Sequence, residues 1–103
     1  MINATFYQSD GLFMGFDISG HAGYAESGSD IVCASVSSAV QFAINMIDDF
    51  ECDPVINVED NLISCRITAS KNTADAILEV FINHLKSILE EFPDTIEITI
   101  SEV

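Results

Sequence analysis

Two long segments repeat apolar residues every three or four positions, the spacing of one face of an α-helix. In the first segment, 31–49, the residues on this face are Val32, Val36, Val40, Ala43 and Ile47. In the second, 73–91, they are Ile77, Leu78, Phe81, Leu85, Ile88 and Leu89. The sequence therefore predicts two helices, each with an apolar face that must be covered by another layer of structure.

Pairs of short apolar runs precede both helices and predict that layer. The pairs are 2–8 with 12–19, and 55–59 with 62–68. The first pair flanks Asp10-Gly11, a dipeptide typical of a tight hairpin turn, and the second flanks Asp60-Asn61. A last run, 95–103, alternates isoleucine with polar residues, as a half-buried strand does. The order β-β-α-β-β-α-β predicts a single-domain α+β sandwich over residues 1–103, with two helices packed on one sheet.

The charge balance excludes several classes of partner. Seventeen Asp and Glu stand against three Lys and Arg, which gives a formal net charge of −14. We expect no nucleic-acid partner, because binding phosphates requires Lys and Arg, and for the same reason no anionic membrane surface. A basic protein would be attracted. The alternative is that the charge only keeps the protein soluble.

Cysteine usage and the N-terminal residues favour the cytoplasm. The three cysteines, Cys33, Cys52 and Cys65, are an odd number, and residues 1–9 lack the basic and apolar regions of an export signal. Free thiols in a reducing compartment are the natural inference. No C-x-x-C spacing and no 18-residue apolar run occur, so we expect no metal, no cofactor and no membrane span.

Nucleophile chemistry is indicated by the segment from Gly20 to Cys33. With Asp30 as N-cap, Cys33 falls in the first turn of the first helix, where the helix dipole favours a thiolate. His21 precedes a loop, 20–30, that we expect to be mobile because it contains Gly20, Gly23 and Gly28. A loop of this kind can bring the imidazole to the sulfur, as in a Cys–His pair. The alternatives are a core cysteine and an anion-binding loop.

Neighbouring polar residues have two interpretations each. Asp30 is either the helix cap, which we favour, or a third catalytic member that orients His21. Ser37, one turn after Cys33, either hydrogen-bonds near the site or bonds back to its own helix. Tyr24 either touches substrate or anchors the loop. We expect Cys52 and Cys65 to be ordinary thiols, Cys65 being buried in a strand, and His84 to be exposed on the second helix.

A family resemblance adds to these arguments. Gly20-His21-Ala22, then Gly28-x-Asp30-Ile31-Val32-Cys33-Ala34, then Val36-Ser37 resemble the signature of the ribosomal-processing cysteine proteases of bacteria. The length and the order of strands and helices also fit. One departure is Ser35, where the family pattern has a small apolar residue.

The resemblance implies roles for particular residues. Cys33 would be the nucleophile and His21 its partner, with Asp30 and Ser37 at further positions of the motif. The reaction would remove the N-terminal extension of a large-subunit ribosomal protein. The resemblance also implies a homodimer in which the loop closes over the bound peptide. In this chain the loop would contain Gly20, Gly23, Tyr24 and Gly28.

Two other functions fit the same residues. The chain could be a non-catalytic assembly factor that binds a basic ribosomal protein, in which case His21 and Cys33 would be structural. It could also be a different Cys–His acyl transferase such as a thioesterase, since the first half-reaction is similar. Turnover of a peptide, and its loss on alkylation of the thiol, would separate these functions.

Overall fold

The order of strands and helices predicted from the sequence is confirmed. The computed structural model describes residues 1–20 and 26–103, and for residues 26–30 it describes the backbone alone. The elements are β1 (Ile2–Ser9), β2 (Leu12–Gly20), α1 (Glu26–Asp49), β3 (Val55–Glu59), β4 (Leu62–Arg66), α2 (Lys71–Glu91) and β5 (Ile96–Glu102).

The five strands form one sheet in the order β3-β4-β2-β1-β5. Neighbouring strands are antiparallel except β1 and β5, which are parallel. At the β1–β2 turn, Asp10 and Gly11 both have positive φ, 53° and 79°. Two such residues make the turn whose twist matches that of the flanking strands, which is why Asp-Gly predicts it.

The core lies between the two helices and one face of the sheet. Alternate residues of β1, namely Ile2, Ala4 and Phe6, are buried against it. The Phe6 and Phe16 rings each meet Phe81 of α2 close to edge-on, at centroid distances of 5.6 and 5.3 Å. Buried aromatic pairs of this kind contribute roughly 0.5–1.5 kcal/mol beyond the area they bury, so this cluster fixes α2 on the sheet.

Helix α1 begins five residues earlier than the sequence predicts. It starts at Glu26 rather than at residue 31, so Asp30 is its fifth residue and does not occupy the N-cap position. The predicted loop 20–30 is shortened at both ends, because Gly20 closes β2 and Gly28 is helical. Serine and glycine have low helix propensity, but propensity is a weak prior that tertiary context overrides.

The other boundaries agree or differ by at most two residues, and a hydrogen-bonded junction explains the difference at β4. This strand ends at Arg66 rather than at residue 68. The backbone N–H groups of Thr68 and Ala69 donate to the carbonyl of Cys52, at 3.2 and 3.1 Å, instead of to a neighbouring strand. The Cys52 N–H in turn donates to Ile47 at the end of α1, so this junction joins α1 to the start of α2.

The segment Ile31–Asp49 of α1 is long and apolar enough to cross a membrane by length and composition alone. Its most apolar face, however, is packed inside the protein: Val32, Val36, Val40, Ala43 and Ile47 are all buried in the core. Burial is thus concentrated on this face, and 39% of the apolar window is buried.

Candidate functional site

A groove of about 450 Å³ lies between α1 and the end of the sheet where β2 closes. Cys33, Ser37 and Gln41 line it on the helix side. On the sheet side it is bounded by Gly20 and by the β3–β4 hairpin around Asn61. One cysteine, the last residue of β2 and a helix face therefore share a single concave surface, which is the usual form of a ligand site.

The three thiols differ in their access to solvent. Cys33 is half-buried, with one side packed against the core and another facing the groove. Cys52 and Cys65 are fully buried. Burial raises the pKa of the Cys65 thiol to about 11, and burial together with the charge of Asp53 raises the pKa of Cys52. The burial predicted for Cys65 is confirmed, and neither buried thiol has the thiolate character of a nucleophile.

The extension of α1 changes the environment predicted for Cys33. Cys33 is the eighth residue of the helix, about two turns from Glu26, and not in the first turn. The unpaired N–H groups of a helix belong to its first four residues, and the dipole effect falls off within the first turn. The structure therefore gives no support to the expectation that this helix end holds the thiolate or supplies its oxyanion donors.

Gly20 fixes where the chain leaves the sheet beside the groove. Its φ is +91°, and a Cβ at this position would collide with the backbone carbonyl oxygen of Met1. Its N–H donates to the carbonyl of Asn61 at 3.4 Å, which joins the β3–β4 turn to the end of β2. Glycine is thus required here both by the backbone conformation and by the close approach of the first residue.

The remaining predicted site residues divide into three groups. His21, Gly23 and Tyr24 lie outside the described residues. Gly28 and Asp30 lie in the first turns of α1, where the structure describes the backbone alone. Ser37 is exposed, four residues after Cys33, and lines the same groove, so these two site residues are brought together.

Sequence reasoning missed the hairpin wall of the groove and Gln41. Val58, Asn61 and Ile63 reach the site because β4 pairs with β2, a long-range pairing with no local signal. Gln41 was detectable, since it lies eight residues after Cys33 and therefore on the same helix face.

A second groove, of about 860 Å³, lies between α1 and α2 on the other side of α1. Phe42 and Val80, on its rim, are 66% and 69% exposed. His84, exposed as predicted, also lines it. Its described lining residues carry no carboxylate, although the chain contains seventeen.

Comparison with known proteins gives consistent matches. The family model "Cysteine protease Prp" matches residues 1–97. The ribosomal processing cysteine protease Prp of Bacillus subtilis is 28% identical over 96% of this chain and 96% of its own length. The protein of the same name from Staphylococcus aureus is 32% identical over 77% of this chain and 78% of its own length.

The fold matches as well. A crystal structure of an essential ribosomal processing protease Prp from S. aureus, in complex with a covalently linked product peptide, superposes with a TM-score of 0.86. It is 28% identical, and the match covers 98% of this chain and all of that one. The family model spans almost the whole chain, including Cys33 and the groove that it lines, and the chain therefore belongs to the cysteine protease Prp family.

Proposed function

We propose that this cysteine protease removes the N-terminal extension of a large-subunit ribosomal protein, with Cys33 as nucleophile and His21 as general base. The observation that carries the proposal is the position of Cys33. It is the one cysteine of three that is not buried, and it lines a groove large enough for a few residues of a peptide. Gly20, the residue that precedes His21 in the chain, lines the same groove.

The proposed reaction has two steps. The Cys33 sulfur attacks the carbonyl carbon of the scissile bond while His21 takes the thiol proton and passes it to the departing amine. The products are a free amine and a thioester on Cys33. A water molecule, deprotonated by His21, then attacks the thioester, which releases the carboxylate and restores the thiol. The covalently linked product peptide of the S. aureus relative supports a covalent intermediate of this kind.

The supporting residues have narrower roles in this proposal. Asp30 does not hold the N-cap position, so of its two predicted roles the orientation of His21 is the one we propose. Ser37 faces the groove one turn from Cys33, where its hydroxyl is positioned to hydrogen-bond the bound peptide. Gly23 and Tyr24 remain predicted members of the substrate loop.

The substrate and the compartment follow from charge and redox state. A net charge of −14 attracts a basic ribosomal protein and raises its rate of encounter at low salt. The three unpaired cysteines are consistent with a reducing cytoplasm, where ribosomal proteins are made.

We also propose that the protein acts as a homodimer that meets its second copy through the groove between α1 and α2. Two copies of a chain this acidic repel each other wherever carboxylates face one another. The described lining of the larger groove contains no carboxylate and carries exposed Phe42 and Val80, so it supports this face as the one where two copies pack.

Mass spectrometry of the candidate precursor tests the proposed activity. We expect the wild-type protein to release the N-terminal extension and Cys33→Ala to release none, while circular dichroism of the variant stays that of the wild type. Cys52→Ala, with a cysteine removed away from the groove, is the control and should still cleave. Cleavage by Cys33→Ala at the wild-type rate would exclude Cys33 as nucleophile. Binding of the precursor without any turnover would favour a non-catalytic assembly factor.

A further inference from the structure

We propose that Gln41 is a substrate-positioning residue, which hydrogen-bonds the main chain of the bound peptide about two helical turns from Cys33. This inference rests on the proposed function, because it assigns the ligand of the groove as a peptide segment next to the scissile bond. No contact of Gln41 with the reacting atoms is implied, so its role is to hold the substrate.

The helix wall of the groove carries a polar stripe beside the apolar residues Val36 and Val40. Cys33, Ser37 and Gln41 follow one another at intervals of four residues, which places them on one face of α1. At a rise of 1.5 Å per residue, Gln41 lies about 12 Å along the helix from Cys33. An extended chain advances about 3.3 Å per residue, so roughly four peptide residues span this distance.

The sheet wall of the same groove carries an apolar row, beside the polar residues Ser19, Glu59 and Asn61. Ile63 of β4 lies across from Ile18 on one side and from Val58 on the other, so the three form a row on the sheet face that carries the core. Ile18 is buried, whereas Val58, at the outer end of the row, is 73% exposed. The row therefore offers uncovered apolar surface at the hairpin.

These two walls match the two kinds of group that an extended peptide presents. Its main-chain N–H and C=O groups need hydrogen-bond partners when they leave water, and apolar side chains gain from contact with apolar surface. A peptide lying along α1 meets polar side chains at Ser37 and Gln41 and apolar side chains at Val58 and Ile63. The groove thus fits a short extended segment with at least one apolar side chain.

The Gln41 amide keeps hydrogen-bonding groups available for this role. Its Nε2 donates to Oδ1 of Asn45, one turn further along the helix, at 3.1 Å. That bond uses one N–H and leaves the second N–H and the carbonyl Oε1 for another partner. Both Gln41 and Asn45 are exposed, so no part of the core depends on the pair.

A double-mutant cycle between protein and peptide tests the inference. The probe is a synthetic peptide that spans the cleavage site of the precursor, with a series of analogues that each carry one backbone N-methyl group. We expect Gln41→Ala to lower kcat/KM by about tenfold, the effect of one lost hydrogen bond. With the wild-type protein, one N-methyl analogue should have a kcat/KM lower by a similar factor than that of the unmodified peptide. With Gln41→Ala, the same analogue and the unmodified peptide should have equal kcat/KM values. Asn83→Ala, which removes an exposed amide of α2, is the matched control and should leave every peptide unaffected.

Equilibrium binding separates positioning from a structural effect. In a Cys33→Ala background, Gln41→Ala should raise the Kd of the unmodified peptide by a similar factor, measured by fluorescence anisotropy, with an unchanged melting temperature. If the effects of Gln41→Ala and of N-methylation on kcat/KM are additive for all analogues, or if the Kd is unchanged, the proposed role of Gln41 is wrong. The proposed protease activity would not be affected by that result. A wild-type protein that cleaves no peptide or precursor would overturn both.

Discussion

At the scale of single residues, burial decides which of the three thiols can react. Alkylation requires the thiolate and an open path for the reagent, and both requirements fail at Cys52 and Cys65. We expect iodoacetamide at pH 7.5 to label Cys33 in the folded protein and to leave the other two unlabelled over the same time. Peptide mapping by mass spectrometry measures the three rates separately.

Unfolding supplies the control for this experiment. In a denaturant all three thiols lose the burial that distinguishes them, and we expect their labelling rates to converge. Equal labelling of Cys33 and Cys65 in the native protein would contradict the burial contrast described here.

Two glycines with positive φ form a matched pair for a second prediction. Gly11 and Gly20 both have φ values that favour glycine, but a Cβ on Gly11 meets nothing within 4 Å, whereas one on Gly20 collides with the Met1 carbonyl. We expect Gly11→Ala to lower the free energy of unfolding by about 1–2 kcal/mol, because of the backbone conformation alone. Gly20→Ala should cost more and also reduce peptide cleavage, because Gly20 lies in the groove.

Thermal unfolding measures the difference between the two variants. For a domain this size, 1 kcal/mol corresponds to about 4–8 °C in melting temperature. Melting temperatures that fall equally for the two variants would mean that the collision at Gly20 is relieved at no cost.

At the scale of elements, a polar cluster joins three neighbouring strands on the outer face of the sheet. Asp17 of β2 accepts from the Tyr7 hydroxyl at 2.7 Å and from Arg66 Nη1 at 3.0 Å, and the Arg66 guanidinium lies 4.4 Å from the centroid of the Tyr7 ring. Burial raises the pKa of Asp17, but hydrogen bonds from Arg66, Tyr7 and Ser64 outweigh it, so the pKa lies below its ordinary value. The hydrogen bond to Asp17, with burial, raises the pKa of Tyr7.

The lowered pKa of Asp17 predicts a pH-dependent contribution to stability. A carboxyl group whose pKa is lowered by folding stabilises the protein above its unfolded pKa of about 3.9, and this stabilisation is lost as the pH falls through the folded value. We expect Asp17→Asn to lower the free energy of unfolding at pH 7 by no more than about 1 kcal/mol, because the Asp17–Arg66 pair is partly exposed, and to lower the melting temperature accordingly. The difference from the wild type should narrow as the pH falls below about 3.9.

Circular dichroism melts at pH 7, 5 and 3 measure this effect. Glu79→Gln, at an exposed position of α2, is the control and should show no such trend. A gap between Asp17→Asn and the wild type that stays constant down to pH 3 would argue against an ionised Asp17 as its cause.

Local sequence patterns predicted the strands and helices well. The features that they missed depend mainly on pairing between strands that are distant in the sequence. The Asp10-Gly11 turn and the periodic face of α2 depend on a few consecutive residues, so the sequence reveals them directly. The start of α1 was wrong because 27–29, Ser-Gly-Ser, favour a loop by propensity. Likewise, Cys33 and Ser37 were recognisable by spacing, whereas Val58 enters the groove through the β3–β4–β2 pairing.

At the scale of the whole molecule, the groove between α1 and α2, whose described lining has no carboxylate, predicts how two copies associate. We expect Phe42→Asp to shift the protein towards monomer, because it places a carboxylate on the apolar face of an already acidic chain. Phe50→Asp is the matched control, since Phe50 is 56% exposed but does not line this groove, and it should leave the association unchanged.

Sedimentation velocity at several protein concentrations distinguishes the outcomes. The proposed dimer surface requires that the wild type and Phe50→Asp sediment alike and that Phe42→Asp sediment more slowly. A wild-type protein that remains monomeric at all concentrations would remove the proposed dimer.

The parallel pairing of β1 with β5 has a consequence for biosynthesis. Ile2 lies beside Ile96, so β1 has as one of its two neighbours β5, which is made after every other strand of this sheet. While the nascent chain is being translated, β1 can pair with β2, but its other edge has no partner until β5 leaves the ribosome. Exposed strand edges recruit other chains, so this edge is most vulnerable to aggregation before β5 leaves the ribosome.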